Sequence, residues 1–209
     1  VLSYHSLSLR RDFLPKPSSK KSDHRVRIIG GRWRGRKITF PDGEGLRPTG
    51  DRIRETLFNW LMPVLHDARC VDLFAGSGAL GFEALSRGAA HCTLVERNVQ
   101  AVRCLRMAQQ QLNAEAAQII LADSVSWLST SADVFDVVFI DPPFADATLL
   151  PAALVVLLDQ RGLLSVDPWI YFEQSVVTPV IAPTGFATFR QQRAGQVCYG
   201  LWRRSEKIA

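Results

Sequence analysis

The apolar positions of this chain follow strand and helix spacings, and from residue 69 the two alternate regularly. In residues 25–40 they alternate: Val26, Ile28, Ile38 and Phe40 flank Gly30, Gly31 and Gly35, which predicts a β-hairpin with its turn at the glycines. A loop over 41–49 leads to a helix expected from about Asp51 to Leu65. Its stripe is Ile53, Leu57, Trp60, Leu61 and Val64, and Thr49 or Asp51 stands where a cap belongs. Beyond residue 69, short apolar runs alternate with helical patterns. Strands are expected near 69–74, 91–95, 117–121, 135–140 and 169–174, with helices near 79–87, 98–113, 123–129 and 146–159. Gly88 stands just past the end of the first of these helices. Such alternation implies a parallel sheet covered by helices on both faces. Two further runs, 186–193 and 196–203, are separated by Ala194 and Gly195 and read as an antiparallel hairpin.

The expected fold is therefore α/β: a mostly parallel, seven-stranded sheet ending in an antiparallel hairpin, with an N-terminal β-hairpin extension. Three segments are expected: a flexible basic arm over 1–24, the hairpin and helix over 25–66, and the main domain over 67–209. The arm is polar, with Pro15, Pro17 and a Ser-Ser-Lys-Lys run at 18–21. A hydrophobic share of 47% and a charged share of 22% are globular values. The apolar run Ala147–Leu158 is too short for a bilayer and contains Pro151, and the first residues lack a secretory pattern. Cys70, Cys92, Cys104 and Cys198 are scattered without a Cys-x-x-Cys pair. Reduced, buried thiols in a cytoplasmic protein are expected, without disulfides or a metal.

Charge changes this picture. Residues 1–60 hold 14 Lys and Arg against 6 Asp and Glu, whereas residues 61–209 hold 11 against 14. A basic front on a mildly acidic body suits a docked polyanion, with a solvated basic tail as the alternative for residues 1–24. Arg25, Arg27, Arg32, Arg34, Arg36 and Lys37 would line the polar side of the first hairpin, with Trp33 among them. Arginines beside an aromatic ring suit RNA, because cations meet phosphates and flat groups stack on unpaired bases. Trp33 serves equally well to pack the hairpin onto the body. Arg47, Arg52 and Arg54 lie at a helix start, where the helix dipole disfavours cations. They await a ligand anion, or they pair with Asp51 or Glu55.

Candidate chemistry gathers at expected strand ends. After the first strand of the alternating region come Asp72, Leu73, Phe74, Ala75, Gly76, Ser77, Gly78 and, after two more residues, Gly81. The glycine spacing matches the dinucleotide fingerprint, but Asp72 beside it would repel a pyrophosphate and attract an ammonium. S-adenosylmethionine fits that better than NAD. Glu96, followed by Arg97, ends the next strand and suits ribose hydroxyls. Asp123, followed by Ser124, suits an adenine amino group or a helix N-cap, and both roles are compatible. The fourth strand ends on Asp141, Pro142, Pro143 and Phe144. Neither proline donates an N–H and both hold a fixed φ, so a stiff corner presents acceptors and a ring. An amine whose two N–H bonds meet the Asp141 carboxylate and the Pro142 carbonyl can pyramidalise toward a methyl donor, while Phe144 stacks on its base. An acceptor-only Asp favours guanine, which offers N1–H and the 2-amino group, over adenine.

Five stretches together carry a specific resemblance: RIIGGRWRGRKI at 27–38, LRPTGDRIRETLFNWL at 46–61, DLFAGSGALGFEALSRGA at 72–89, DVVFIDPPF at 136–144 and AGQVCYGLWRR at 194–204. The chain resembles the bacterial 16S rRNA guanine-N2 methyltransferases of the RsmD family. The resemblance implies a Rossmann-like class I methyltransferase fold, S-adenosylmethionine as methyl donor with S-adenosylhomocysteine as product, and no metal. It also implies 16S rRNA in the assembling or assembled small ribosomal subunit as partner. A cytoplasmic monomer without membrane association is expected. The arm before residue 25 departs from the family pattern in its length. The rival readings are an N-methyltransferase of DNA adenine or of a protein amide, an NAD-dependent oxidoreductase, and a non-catalytic RNA-binding module.

Overall fold

The structure is a computed structural model that describes residues 24–41, 49–143 and 150–205. Most of the arm expected over 1–24, Arg47, Phe144 and the expected start of the helix near 146 lie outside the described residues.

The alternating region forms the sheet that its periodicity predicts. Strands β3 (Arg69–Asp72), β4 (His91–Glu96), β5 (Ala117–Leu121), β6 (Phe135–Ile140) and β7 (Leu164–Ser175) run parallel, in the spatial order β5-β4-β3-β6-β7. Strands β9 (Val197–Arg204) and β8 (Phe186–Ala194) extend it antiparallel beyond β7 to give seven strands. The intervening helices are α2 (Ala79–Ser86), α3 (Val99–Leu112), α4 (Ser124–Leu128) and α5 (Leu150–Gln160). The chain leaves β3 toward β4 on one side and later sets β6 on its other side. That makes the crevice past the carboxyl ends of β3 and β6 the switch point where such sheets bind ligands.

Beyond the register shift between Phe135 and Val137, the central strands alternate their faces. Val137, Phe139, Tyr171, Tyr199 and Leu201 join one buried cluster, whereas Val138, Ile140, Ile170, Phe172 and Trp202 join the other. The first cluster also takes in Val26, Ile28, Trp33, Ile38 and Phe40 of the N-terminal hairpin, and Leu57, Phe58 and Leu61 of the first helix. The expected N-terminal segment thus packs into the same core as the sheet. The second cluster is covered by α5 through Leu154, Val155 and Leu158.

The hairpin pairs β1 (Arg25–Arg27) with β2 (Lys37–Thr39) and encloses a short 3-10 turn at Gly31–Trp33. Gly31 has φ +74°, and a Cβ there would lie 1.8 Å from the Ser86 carbonyl oxygen. Only glycine lets the turn sit that close to α2. Helix α1 (Asp51–Leu61) ends four residues before the expectation. Pro63 follows Met62 and supplies no N–H for a further turn. Strand β7 starts earlier than expected, at Leu164, because the chain passes Pro168 through a register shift against β6 and then resumes pairing at Trp169.

Candidate active site

Three carboxyl-bearing strand ends converge at the switch point. Asp72 closes β3 and is 1% exposed. Its Oδ2 accepts the Gly81 N–H at 3.2 Å, while its Oδ1 is buried and meets no hydrogen-bond partner of good geometry among the described residues, the Phe74 N–H also favouring the carboxylate. Burial, and after it the negative charge of Asp141, pushes the Asp72 carboxyl up to about 7. An orphaned, buried carboxylate oxygen beside a glycine turn suits the ammonium that the sequence points to.

The loop that leaves β3 is shaped by its neighbours. Ala75 N–H bonds the Val95 carbonyl at 3.0 Å, and Gly76 N–H bonds Glu96 Oε2 at 2.8 Å. Glu96 Oε1 accepts from Asn98 N–H at 2.7 Å, so this carboxylate ties the glycine turn to the tip of β4 and keeps lone pairs for hydroxyl donors. Gly78 has φ +77°, and a Cβ there would come within 2.6 Å of Leu105 and Phe82 side-chain atoms. Phe74 and Ser77 are half-buried on the loop, and Arg97 is exposed just after β4. Asp123 caps α4 by accepting from Ser126 N–H at 3.0 Å, and Ser124 Oγ donates to the Leu73 carbonyl. Two elements are thereby pinned to the same crevice. Of the two roles open to Asp123, the N-cap is present.

Asp141 follows β6, the strand beside β3. Alternation along β6 puts it on the face shared with Phe139, toward α1. Burial pushes its carboxyl up to about 6, opposed by a hydrogen bond from Thr49. That bond, Thr49 Oγ1 to Asp141 Oδ2 at 2.7 Å, is its one hydrogen bond among the described residues. Pro142 is buried and Pro143 half-buried. On the neighbouring strand, Ile140 pairs with Phe172, so Glu173 flanks Asp141. Tyr171 donates to Glu173 at 2.8 Å, and burial with the Asp141 charge pushes the Glu173 carboxyl up to about 8.

Glu83, Tyr171 and Glu173 are not among the residues that the sequence pattern singled out, and Thr49 takes a role other than the expected one. Thr49, read as a helix cap, instead turns its hydroxyl to Asp141; the N-cap of α1 is Gly50, and no side chain caps the helix. Arg54 is 0% exposed. It donates to Asp51 at 2.6 Å, to the Thr49 carbonyl at 3.1 Å and to the Arg27 carbonyl at 2.9 Å, and it reaches Glu83 at 3.5 Å. For this arginine, pairing with Asp51 accounts for a cation near the helix start. Glu83 in turn accepts from Ile29 N–H at 2.7 Å, from Gly30 N–H at 2.8 Å and from Arg87 at 2.7 Å. The signal lay in pattern: Arg54 falls on the apolar stripe of α1, and Glu83 is a lone charge in an apolar helix.

The basic residues separate into two groups. Arg27 lies beside Asp51, at 3.5 Å, and Arg52 is exposed on the same helix start. Arg32, Arg34, Arg36 and Lys37 are also exposed, but the turn that carries them packs at the far ends of α2 and α3: Trp33 N–H meets Ser86 Oγ, and Arg36 meets the Gln111 carbonyl. The first group adjoins the Arg54 network that ends at Thr49 and Asp141, whereas the second sits at the carboxyl ends of α2 and α3. No carboxylate pairs with Arg32, Arg34, Arg36, Lys37 or Arg52 among the described residues. Trp33 is 6% exposed and carries Arg32 over its ring at 4.2 Å, so of its two roles it performs the packing one. All four cysteines are free thiols, three of them buried, and no group able to hold a metal occurs among the described residues.

Comparison with known proteins agrees with this arrangement. The family model described as conserved hypothetical protein 95 matches residues 26–203. Ribosomal RNA small subunit methyltransferase D of Escherichia coli strain K12 is 44% identical over 190 residues, covering 88% of this chain and 95% of that protein. The chain belongs to the ribosomal RNA small subunit methyltransferase D family. The Haemophilus influenzae member is 43% identical over 182 residues, covering 85% of this chain and 93% of that one. The solved yhhF structure from Escherichia coli superposes with a TM-score of 0.79 at 41% identity, covering 88% of this chain and 99% of that one. The sheet, its helices and the antiparallel hairpin are thus the family's Rossmann-like methyltransferase fold.

Proposed function

We propose that the protein methylates the exocyclic N2 of a guanine in 16S rRNA of the small ribosomal subunit, with S-adenosylmethionine as donor. The observation that carries this reading is the acceptor-only corner at Asp141 and Pro142, set one strand from the buried, half-satisfied Asp72. Membership of a family whose named relatives methylate small-subunit rRNA supports the substrate class and weighs against a nicotinamide oxidoreductase.

In this reading Asp72 Oδ1 receives the ammonium of the donor, Glu96 receives its ribose hydroxyls, and Asp123 with Ser124 borders its adenine. Residues Phe74 to Gly78 form the turn beneath it. When bound, S-adenosylmethionine supplies a methyl group on an electrophilic sulfonium. Asp141 Oδ1 and the Pro142 carbonyl accept the two N–H bonds of the guanine amine. Its lone pair is then freed from the ring and aimed at the crevice. The nitrogen sheds a proton after transfer, and the Asp141 carboxylate is the base nearest to take it. Phe144 follows the corner in sequence and supplies a ring for the extruded base. Arg27 and Arg52 hold phosphates close to the corner. Arg32, Arg34, Arg36 and Lys37 hold more distant ones, with Trp33 anchoring the hairpin that presents them, and Arg47 is a further phosphate contact proposed from the sequence. The protein acts as a cytoplasmic monomer on the assembling or assembled subunit; among the described residues no helix is long and apolar enough to cross a membrane.

Asp141→Ala tests the corner. Methyl transfer should stop while affinity for S-adenosylmethionine stays within about threefold, since the lost group acts on the acceptor. Retained transfer, or loss of donor binding instead, would remove Asp141 from this role.

A further inference from the structure

Thr49 sits in a conformation that its local sequence does not explain. A threonine just before a helix ordinarily caps it, a contact worth about 1 kcal/mol to the helix. Here the cap position falls to Gly50, which offers no side chain, and α1 begins without a side-chain cap. The Thr49 side chain points the other way, is 7% exposed, and donates its one hydroxyl proton to Asp141 Oδ2 at 2.7 Å. The Thr49 backbone is held as firmly: its carbonyl accepts from Arg54 Nε at 3.1 Å. That guanidinium is fixed by Asp51 and by the Arg27 carbonyl, with Glu83 at 3.5 Å. Glu83 is fixed by two backbone N–H groups of the hairpin. A rigid chain of contacts therefore runs from hairpin to α1 to the oxygen of a single carboxylate, 92 residues away from Thr49 in sequence.

We propose that Thr49, braced by Arg54, is a positioning residue of the transfer corner, occupying Asp141 Oδ2 so that Oδ1 is left for the incoming amine. The inference rests on the reading of Asp141 as the amine acceptor. A carboxylate whose rotation is free presents either oxygen, and neither stays fixed against the donor. One donor on one oxygen removes that freedom. The same bond favours the ionised carboxyl, the form able to accept. It does so against an unfavourable setting, since the groups facing Asp141 are Asp72 from β3 and Tyr171 and Glu173 from β7, with Arg54 reaching it through Thr49.

The test compares Thr49→Val, which keeps the shape and loses the donor, with Thr49→Ser, which keeps the donor. Single-turnover methyl transfer to small ribosomal subunits, with radiolabelled S-adenosylmethionine, is measured across pH. Thr49→Val should slow transfer by about ten- to a hundredfold, with subunit KM and donor Kd changed by less than about threefold. The acidic limb of its rate profile should move up by about one pH unit, the worth of one hydrogen bond to a charged group. Thr49→Ser should restore both rate and limb. Wild-type rate and limb in Thr49→Val, beside an inactive Asp141→Ala, would overturn the inference alone. A parallel loss of donor binding in Thr49→Val would overturn it too, by showing a general structural role. An active Asp141→Ala would overturn both this inference and the reading on which it rests.

Discussion

Affinity for S-adenosylmethionine should depend on pH through Asp72, with a size that the structure sets. In the free protein burial and the charge of Asp141 push this carboxyl up to about 7, and its Oδ1 has no hydrogen-bond partner among the described residues. Only the ionised form attracts an ammonium. Each pH unit below that value cuts the ionised fraction about tenfold, so roughly a tenth remains at about pH 6 and a hundredth at about pH 5. Apparent Kd scales inversely with the competent fraction. Binding should therefore weaken about tenfold at pH 6 and about a hundredfold at pH 5, relative to its plateau. The direction follows from linkage: the ligand favours the ionised carboxyl, a proton leaves on binding, and affinity is gained as pH rises through about 7. Above about pH 8 the ligand's own amine begins to lose its charge, which bounds the plateau. Titration calorimetry in two buffers of different ionisation heat measures both the Kd and the proton released. Asp72→Asn should abolish the slope and weaken plateau binding by about ten- to a hundredfold, the worth of a charge-assisted hydrogen bond. Asp141→Asn removes the second cause of the shift and should move the midpoint to lower pH. A Kd constant between about pH 5 and 7, or an unchanged slope in Asp72→Asn, would refute this assignment of Asp72.

Two further changes probe the frame around the site. Arg54→Met removes a buried guanidinium from Asp51, Glu83 and two carbonyls, and should cost about 3–5 kcal/mol in urea unfolding at unchanged m; a loss under about 1 kcal/mol would show that the network contributes little. Replacing Arg32, Arg34 and Arg36 together by Gln should weaken subunit binding and flatten the slope of log K against log salt by about two. An unchanged slope would remove the hairpin turn from the RNA contact.

The sheet was legible because each face repeats every two residues and each helix carries its own stripe: Val137 and Phe139 against Val138 and Ile140 is enough to predict a strand buried on both sides. The strand-end residues were legible for the same reason, since a carboxylate that ends a buried parallel strand has to lie at the crevice. The support of the site was not. Arg54, Glu83 and Thr49 meet only in three dimensions, across 29 residues from Arg54 to Glu83 and 92 from Thr49 to Asp141. Local rules favoured a different partner for each. Capping chemistry claimed Thr49, and the helix dipole raised a question about Arg54 that a buried network answers. Trp33 carried two readings because its flanking arginines say nothing about which side of the ring is covered. The early start of β7 was hidden by Pro168, which ordinarily argues against a strand.

The most direct measurement is nucleoside analysis of 16S rRNA from small subunits, taken from a strain lacking this activity, after incubation with the protein and radiolabelled S-adenosylmethionine. Label recovered as N2-methylguanosine is the predicted result, and it would vanish with Asp141→Ala. Label in another nucleoside, or none from protein that binds the donor, would contradict the assignment of guanine N2 as the acceptor.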